Sequence, residues 1–210
     1  MMPIKVIILD LDQTLLHTLH RFHSVFSEMV GGLDWEDFLE LFREDRLDEL
    51  IEGDRAKFWE EFTRRFSKAR HQEDRPIEGA RDVLKRLSER YRIVVTTGRR
   101  VPPEEIWREL EEFDLSPYVH DVRTLLGHDG VWHRDDLLRE ILRELGVSPE
   151  EAVFVGDYWV DMDSARRAGI RAIAVRTGLE PDERLMRHGA IRVIDGIWEL
   201  EGALREMERS

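Results

Sequence analysis

Short apolar runs that alternate with amphipathic stretches constrain the fold of this chain more than any other feature. "YRIVVTT", "DVRTLL", "EAVFVGD", "RAIAVRT" and "AIRVID" read as strands, and "IKVIIL" near the N-terminus reads as a buried one. Between them, "GARDVLKRLSER", "PPEEIWRELEEF", "RDDLLREILREL", "DMDSARRAG" and "PDERLMRHG" repeat apolar residues at helical spacing, and "GIWELEGALREM" closes the chain as a further helix. Proline stands at the start of one helix, as an N-terminus allows, and Gly146 ends another. Strands alternating with helices predict an α/β chain with a mostly parallel sheet.

Residues 17–70 interrupt that pattern. Phe22 and Phe26 lie four apart, as do Phe58 and Phe62, with Phe66 one step further; Trp35, Phe38, Leu39 and Phe42 make a similar stripe. This spacing predicts the core of a small helical bundle rather than a cofactor box. The expected organisation is an α/β core formed by residues 1–16 and 74–210, with a helical unit at 17–73 inserted after the first strand. A chain of 210 residues suffices for one core and a smaller appended unit.

Composition narrows the functional classes. Without cysteine there is no disulfide, thiolate zinc site or thiol nucleophile. A formal net charge of -13 repels nucleic-acid backbones and anionic membranes, so neither is an expected partner. A small anion could still bind beside local positive charge or a metal. The N-terminal apolar run is too short for a signal peptide or a membrane span and meets aspartates at once, so a cytoplasmic protein is expected.

In open parallel sheets, ligands bind beyond the carboxyl ends of the strands. Here the first strand ends in Asp10-Leu11-Asp12, the second in Thr96-Thr97-Gly98-Arg99, and a later one in Gly156-Asp157 with Asp161 four residues on. Parallel strands would bring these ends to one site. Carboxylates crowded together repel unless a cation sits among them, and hard oxygens with no His or Cys at matching spacing favour Mg²⁺.

The stretches "DLDQTL", "VVTTGR", "LLREILRELGVSPEEAVFVGDYWVDMDSARRAG" and "GAIRVID" together resemble the haloacid dehalogenase superfamily of phosphohydrolases. The likeness is greatest to its phosphoglycolate-phosphatase-like branch, which carries a helical cap after the first strand. It covers the sheet domain; in the cap, only position and helical character match. The resemblance implies a Rossmann-like core and a Mg²⁺-dependent phosphatase acting on a small phosphorylated metabolite. Asp10 would be the nucleophile that forms an aspartyl-phosphate. Asp12 would be the general acid and then the base. The Asp10 side chain, the Asp12 backbone carbonyl and the Asp157 side chain would hold Mg²⁺, with Asp161 in or near the next layer. Thr96 would bond phosphoryl oxygens, helped by the backbone N–H groups of Thr97 and Leu11. The family also expects a lysine ahead of the last acidic motif. No lysine lies between Arg86 and the C-terminus. Counting back twelve residues from Gly146 gives Arg134, assigned to pair with Asp10 and the phosphate, with His133 as its rival.

A sugar-phosphate mutase would use the same residues, and a non-catalytic binding module of the same fold is a further alternative. A true dehalogenase is disfavoured because Asp12 fills the acid/base position; Lys57 and Lys68 leave an opening for phosphonate cleavage. Oligomeric state is not legible. Asp161 could instead cap its helix, and Asp163 is expected at the surface. His17, His20 and His23 fan across a helix face, which favours solvated or packed histidines over a zinc site. Tyr158 and Trp159 are placed either at the mouth of the site or packed on the cap. Arg55, Lys57, Arg64 and Arg65 are expected on a solvated face.

Overall fold

A computed structural model describes residues 3–128 and 134–209. The chain enters through strand β1 (Val6–Asp10) and crosses a two-residue strand β2 (Leu16–His17) into helices α1 (Leu19–Met29), α2 (Trp35–Arg43) and α3 (Arg55–Lys68). It returns through β3 (Arg75–Pro76), which pairs antiparallel with β2, so one short ribbon carries both crossings. Helix α4 (Ala80–Ser88), β4 (Arg92–Thr97), α5 (Pro103–Glu112), β5 (Asp121–Thr124), α6 (Asp135–Leu145) and β6 (Ala152–Gly156) follow. The chain ends with α7 (Trp159–Ala168), β7 (Arg171–Val175), α8 (Asp182–His188), β8 (Ala190–Ile194) and α9 (Leu200–Arg209).

The main sheet has the order β5-β4-β1-β6-β7-β8, and its neighbours pair parallel throughout. From β1 the connections run first to β4 and β5 on one side, then back to β6 on the other. That reversal puts the topological switch point at the carboxyl end of β1, where an open α/β sheet binds its ligand.

Side-chain alternation explains why both faces are covered. Ile7 and Leu9 point into one apolar cluster with Val83, Leu84 and Leu87 of α4 and Ile106 and Leu110 of α5. Val6 and Ile8 point into the opposite cluster with Leu137, Leu138, Ile141 and Leu142 of α6 and Met162 and Ala165 of α7. Strands buried on both faces are why β1, β4, β6 and β7 read as nearly continuous apolar runs. Helix α6 stops at Gly146, whose φ of 64° is the left-handed conformation that a side chain resists.

Helices α1 to α3 pack around their own cluster, which includes Val25, Phe26, Phe38, Leu47, Phe62 and Phe66. The helical expectation from His17 onward is corrected at its first residue: His17 belongs to β2. Asp34 begins α2 by accepting from the backbone N–H groups of Glu36 and Asp37. Among the described residues, no helix is long and apolar enough to cross a membrane.

Candidate active site

Register brings the expected residues together. Asp10 sits beside Thr96 in the β1–β4 pairing, and Asp157 follows β6 on the other side of β1. Carboxylate oxygens of Asp10, Asp157 and Asp161 lie within 4.8 Å of one another, all buried. Thr14 donates to Asp157 Oδ1 at 3.3 Å, from the turn that leaves β1.

Arg134 reaches into this cluster from the N-terminus of α6. Its Nη1 donates to Asp10 Oδ1 at 2.6 Å and lies 3.4 Å from Thr96 Oγ1; its Nη2 donates to Asp161 Oδ1 at 2.5 Å. The fork of a guanidinium is what permits two carboxylates to be held at once. His133, the rival for this role, lies outside the described residues. Asp161 occupies the first turn of α7 and its Oδ2 also accepts from the backbone N–H of Tyr158, so capping and membership of the acidic cluster coexist.

Asp12 lies apart from that triad in its bonding. Thr18 donates to its Oδ1 at 2.7 Å, and Arg99 grips both oxygens, at 3.0 and 2.5 Å. Thr97, expected with Thr96 to bind phosphate, accepts through its hydroxyl from the backbone N–H of Arg99 at 3.2 Å. Arg99 also binds Glu109 of α5 at 2.5 Å, and Glu109 binds Arg21 of α1 at 2.6 Å. Arg21 in turn donates to Asp74, just before β3, at 2.8 Å. Residue types alone gave no signal for this chain of charges, because its partners lie up to 88 positions apart.

The charges divide in two. Burial, opposed by Arg134 and reinforced by the Asp161 and Asp12 carboxylates, pushes Asp10 up to about 7. Burial and the neighbouring Asp10 and Asp161 push Asp157 well above the ordinary carboxylate range, and burial raises Asp161 against the pull of Arg134. Burial alone would raise Asp12 too, but the Arg99 guanidinium outweighs it and holds the group low. One arginine therefore faces three carboxylates at Asp10, Asp157 and Asp161, all with hard oxygen donors. That excess of buried negative charge suits a divalent cation such as Mg²⁺.

A cavity of about 430 Å³ opens above the cluster, lined by Asp10, Asp12, Arg99, Arg134, Asp157 and Asp161 on the sheet side. Phe22, Phe42, Trp59, Phe62 and Phe66 line it from the helical unit. Tyr158 and Trp159 line it as well, and Tyr158 also bonds Asp45 at 3.3 Å and meets Phe42, so mouth and packing positions are one and the same. Other residues resolve as follows. Asp163 is buried, not at the surface, because Arg166 and Arg167 one turn on fold over it. His20 stacks on Trp35 at 4.0 Å, and the His23 ring bonds the Leu33 carbonyl at 2.8 Å. Arg55, Arg64 and Arg65 are exposed and pair with Asp48, Glu61 and Glu28.

Known proteins resemble this chain in sequence and in fold. The family model for haloacid dehalogenase-like hydrolase matches residues 7–175. A protein of Caldanaerobacter subterraneus subsp. tengcongensis assigned as pyrophosphatase PpaX is 31% identical over 221 residues, covering 95% of this chain and 94% of that one. Pyrophosphatase PpaX of Bacillus cereus is 26% identical over the full length of both. A haloacid dehalogenase-like hydrolase of Streptococcus pneumoniae superposes with a TM-score of 0.78 at 19% identity, over 95% of this chain and 98% of its own, a likeness of fold. With most of the sheet domain inside the family model and the strand-end aspartates inside that match, this chain belongs to the haloacid dehalogenase-like hydrolase family.

Proposed function

We propose that this chain is a Mg²⁺-dependent phosphatase of small phosphorylated metabolites, working through an aspartyl-phosphate on Asp10. The observation that carries the reading is the meeting of Asp10, Asp157 and Asp161 around Arg134 at the switch point of the sheet, under a partly open cavity. Residues 17–73 serve as a cap over that cavity.

Asp10 attacks phosphorus; a new carboxylate oxygen–phosphorus bond forms as the bond to the leaving alkoxide breaks. Asp12 gives the alkoxide a proton, then takes one from the water that attacks phosphorus and releases Asp10. The ionised Asp12 held by Arg99 is the base of the second step, so to act as acid it must carry a proton and loosen that grip. Arg134 keeps Asp10 oriented and offsets charge on the phosphoryl oxygens, with Thr96 beside it. Side chains of Asp10 and Asp157 and the carbonyl of Asp12 would hold Mg²⁺, with Asp161 behind them fixing Arg134. When bound, the ion lets the carboxylates stay ionised together and draws charge from the phosphoryl group.

Phosphate release from a phosphomonoester tests this directly. Turnover is expected to need Mg²⁺, to stop with a chelator and to vanish in Asp10→Asn, whose amide is nearly isosteric but not nucleophilic. Turnover retained by a folded, clean Asp10→Asn preparation would sink the assignment.

A further inference from the structure

The cavity above Asp10 is asymmetric. Its sheet side carries both arginines and the Asp10, Asp12, Asp157 and Asp161 carboxylates, and its helical side is built mainly from aromatic rings: Phe22 packs on Phe62 with centroids 4.4 Å apart, and Phe42 closes on Tyr158 at 6.3 Å. Among the described lining residues the cations are Arg99 and Arg134, and both are committed. Arg134 spans Asp10 and Asp161; Arg99 spans Asp12 and Glu109. The charged lining residues contributed by the helical unit are Asp45 and Asp48. Their basic partners, Arg184 at 3.7 Å and Arg55 at 3.5 Å, stand outside the lining.

A phosphoryl group seated at Asp10 directs the remainder of the substrate toward these rings. A second anion on that remainder would lose water against aromatic faces and meet two aspartates, with no uncommitted cation among the described lining residues. An apolar or aromatic body would instead bury area against Phe42, Trp59 and Tyr158 and stack on them. The volume of about 430 Å³ lies within the range of small-molecule pockets.

We infer that the substrate is a phosphomonoester of an uncharged apolar or aromatic alcohol, and that the cavity discriminates against esters bearing a second anion. The inference rests on the phosphatase reading and sets this chain apart from what the names of its pyrophosphatase relatives state for those proteins.

Benzyl phosphate, 2-phosphoglycolate and inorganic pyrophosphate, each assayed by phosphate release with Mg²⁺, separate the possibilities. Benzyl phosphate and phosphoglycolate both release a primary alcohol, so their comparison reads the body of the substrate more than the lability of its bond. The expected kcat/KM for benzyl phosphate exceeds that for either competitor with a second anionic group by at least about tenfold, chiefly through KM. Asp45→Asn, conservative because asparagine tolerates the left-handed φ of 59° at that position, should lower the ratio of benzyl phosphate to phosphoglycolate several-fold. Equal or greater kcat/KM for phosphoglycolate or pyrophosphate overturns the inference while leaving the phosphatase reading intact. Release from none of the three overturns that reading, and this inference with it.

Discussion

Arg134 is the residue proposed for the position where the resemblance implies a lysine, and its geometry differs from what a lysine could offer. A lysine is a point charge, whereas Arg134 reaches Asp10 with one nitrogen and Asp161 with another. Removing it leaves a buried acidic cluster without its guanidinium and the phosphoryl group less well neutralised. Arg134→Ala should lower kcat about 10²–10³-fold, the usual scale for losing one electrostatic stabiliser. Arg134→Lys should recover part of that rate, since charge returns but the span does not. Lys85→Ala, on exposed α4 surface, serves as the silent control. Steady-state kinetics of the three variants with one phosphomonoester decide the matter; a silent Arg134→Ala would remove Arg134 from the site.

At the scale of elements, close approach between the loops after β6 and β7 fixes the acidic cluster. A Cβ added at Gly178 would collide with the Asp157 carboxylate, and one added at Gly156 would sit 2.5 Å from Asp161 Oδ2. Neither obstacle can swing clear, because both carboxylates are buried and Asp161 is bonded to Arg134. Gly178→Ala should therefore displace Asp157 and weaken Mg²⁺ binding about 10–100-fold, the range seen when the surroundings of a metal ligand are disturbed. Isothermal titration with Mg²⁺ would read it, and unchanged affinity would show that the glycine is there for the turn alone. Elements of this kind also mark what the sequence disclosed. Runs such as "RIVVTT" and "AVFVG" announced central strands because burial on both faces leaves only apolar side chains, and Asp10, Thr96 and Asp157 announced a site because each ends such a run. The β2–β3 ribbon was hidden, since two-residue strands carry no periodicity. Asp163 misled because an acid in a helix reads as solvated until Arg166 and Arg167 are seen to cover it. The Arg99–Asp12 pair was invisible because its members are 87 positions apart.

On the scale of the whole molecule, the helical unit and the sheet domain are joined by buried charge as well as by the ribbon. Arg21 of α1 is fully buried, bonded to Asp74 and to Glu109, and Glu109 passes the contact on to Arg99 and so to Asp12. Phe66 of α3 lies under both guanidiniums, 5.6 Å from Arg21 and 5.0 Å from Arg99, and shields them from water. Glu109 is the hinge of this charge chain, since among the described acids it is the one that pairs with both arginines. Glu109→Gln keeps the shape and removes the charge, leaving two buried cations under-compensated. Breaking a buried pair in this way costs about 3–5 kcal/mol. At about 2–4 °C per kcal/mol for a chain of this size, Tm should fall by about 6–20 °C. Glu61→Gln is the matched control: Glu61 binds Arg64 and Arg65 on the exposed face of α3, where such pairs contribute about 0–1 kcal/mol, so its Tm should move only slightly. The same Glu109 variant should expose the segment 17–73 to protease faster than the remainder of the chain, because the bond that seats Arg21 against the sheet domain is the one weakened. Equal Tm values for the two variants would mean that the ribbon and the aromatic cluster hold the helical unit without the buried charges.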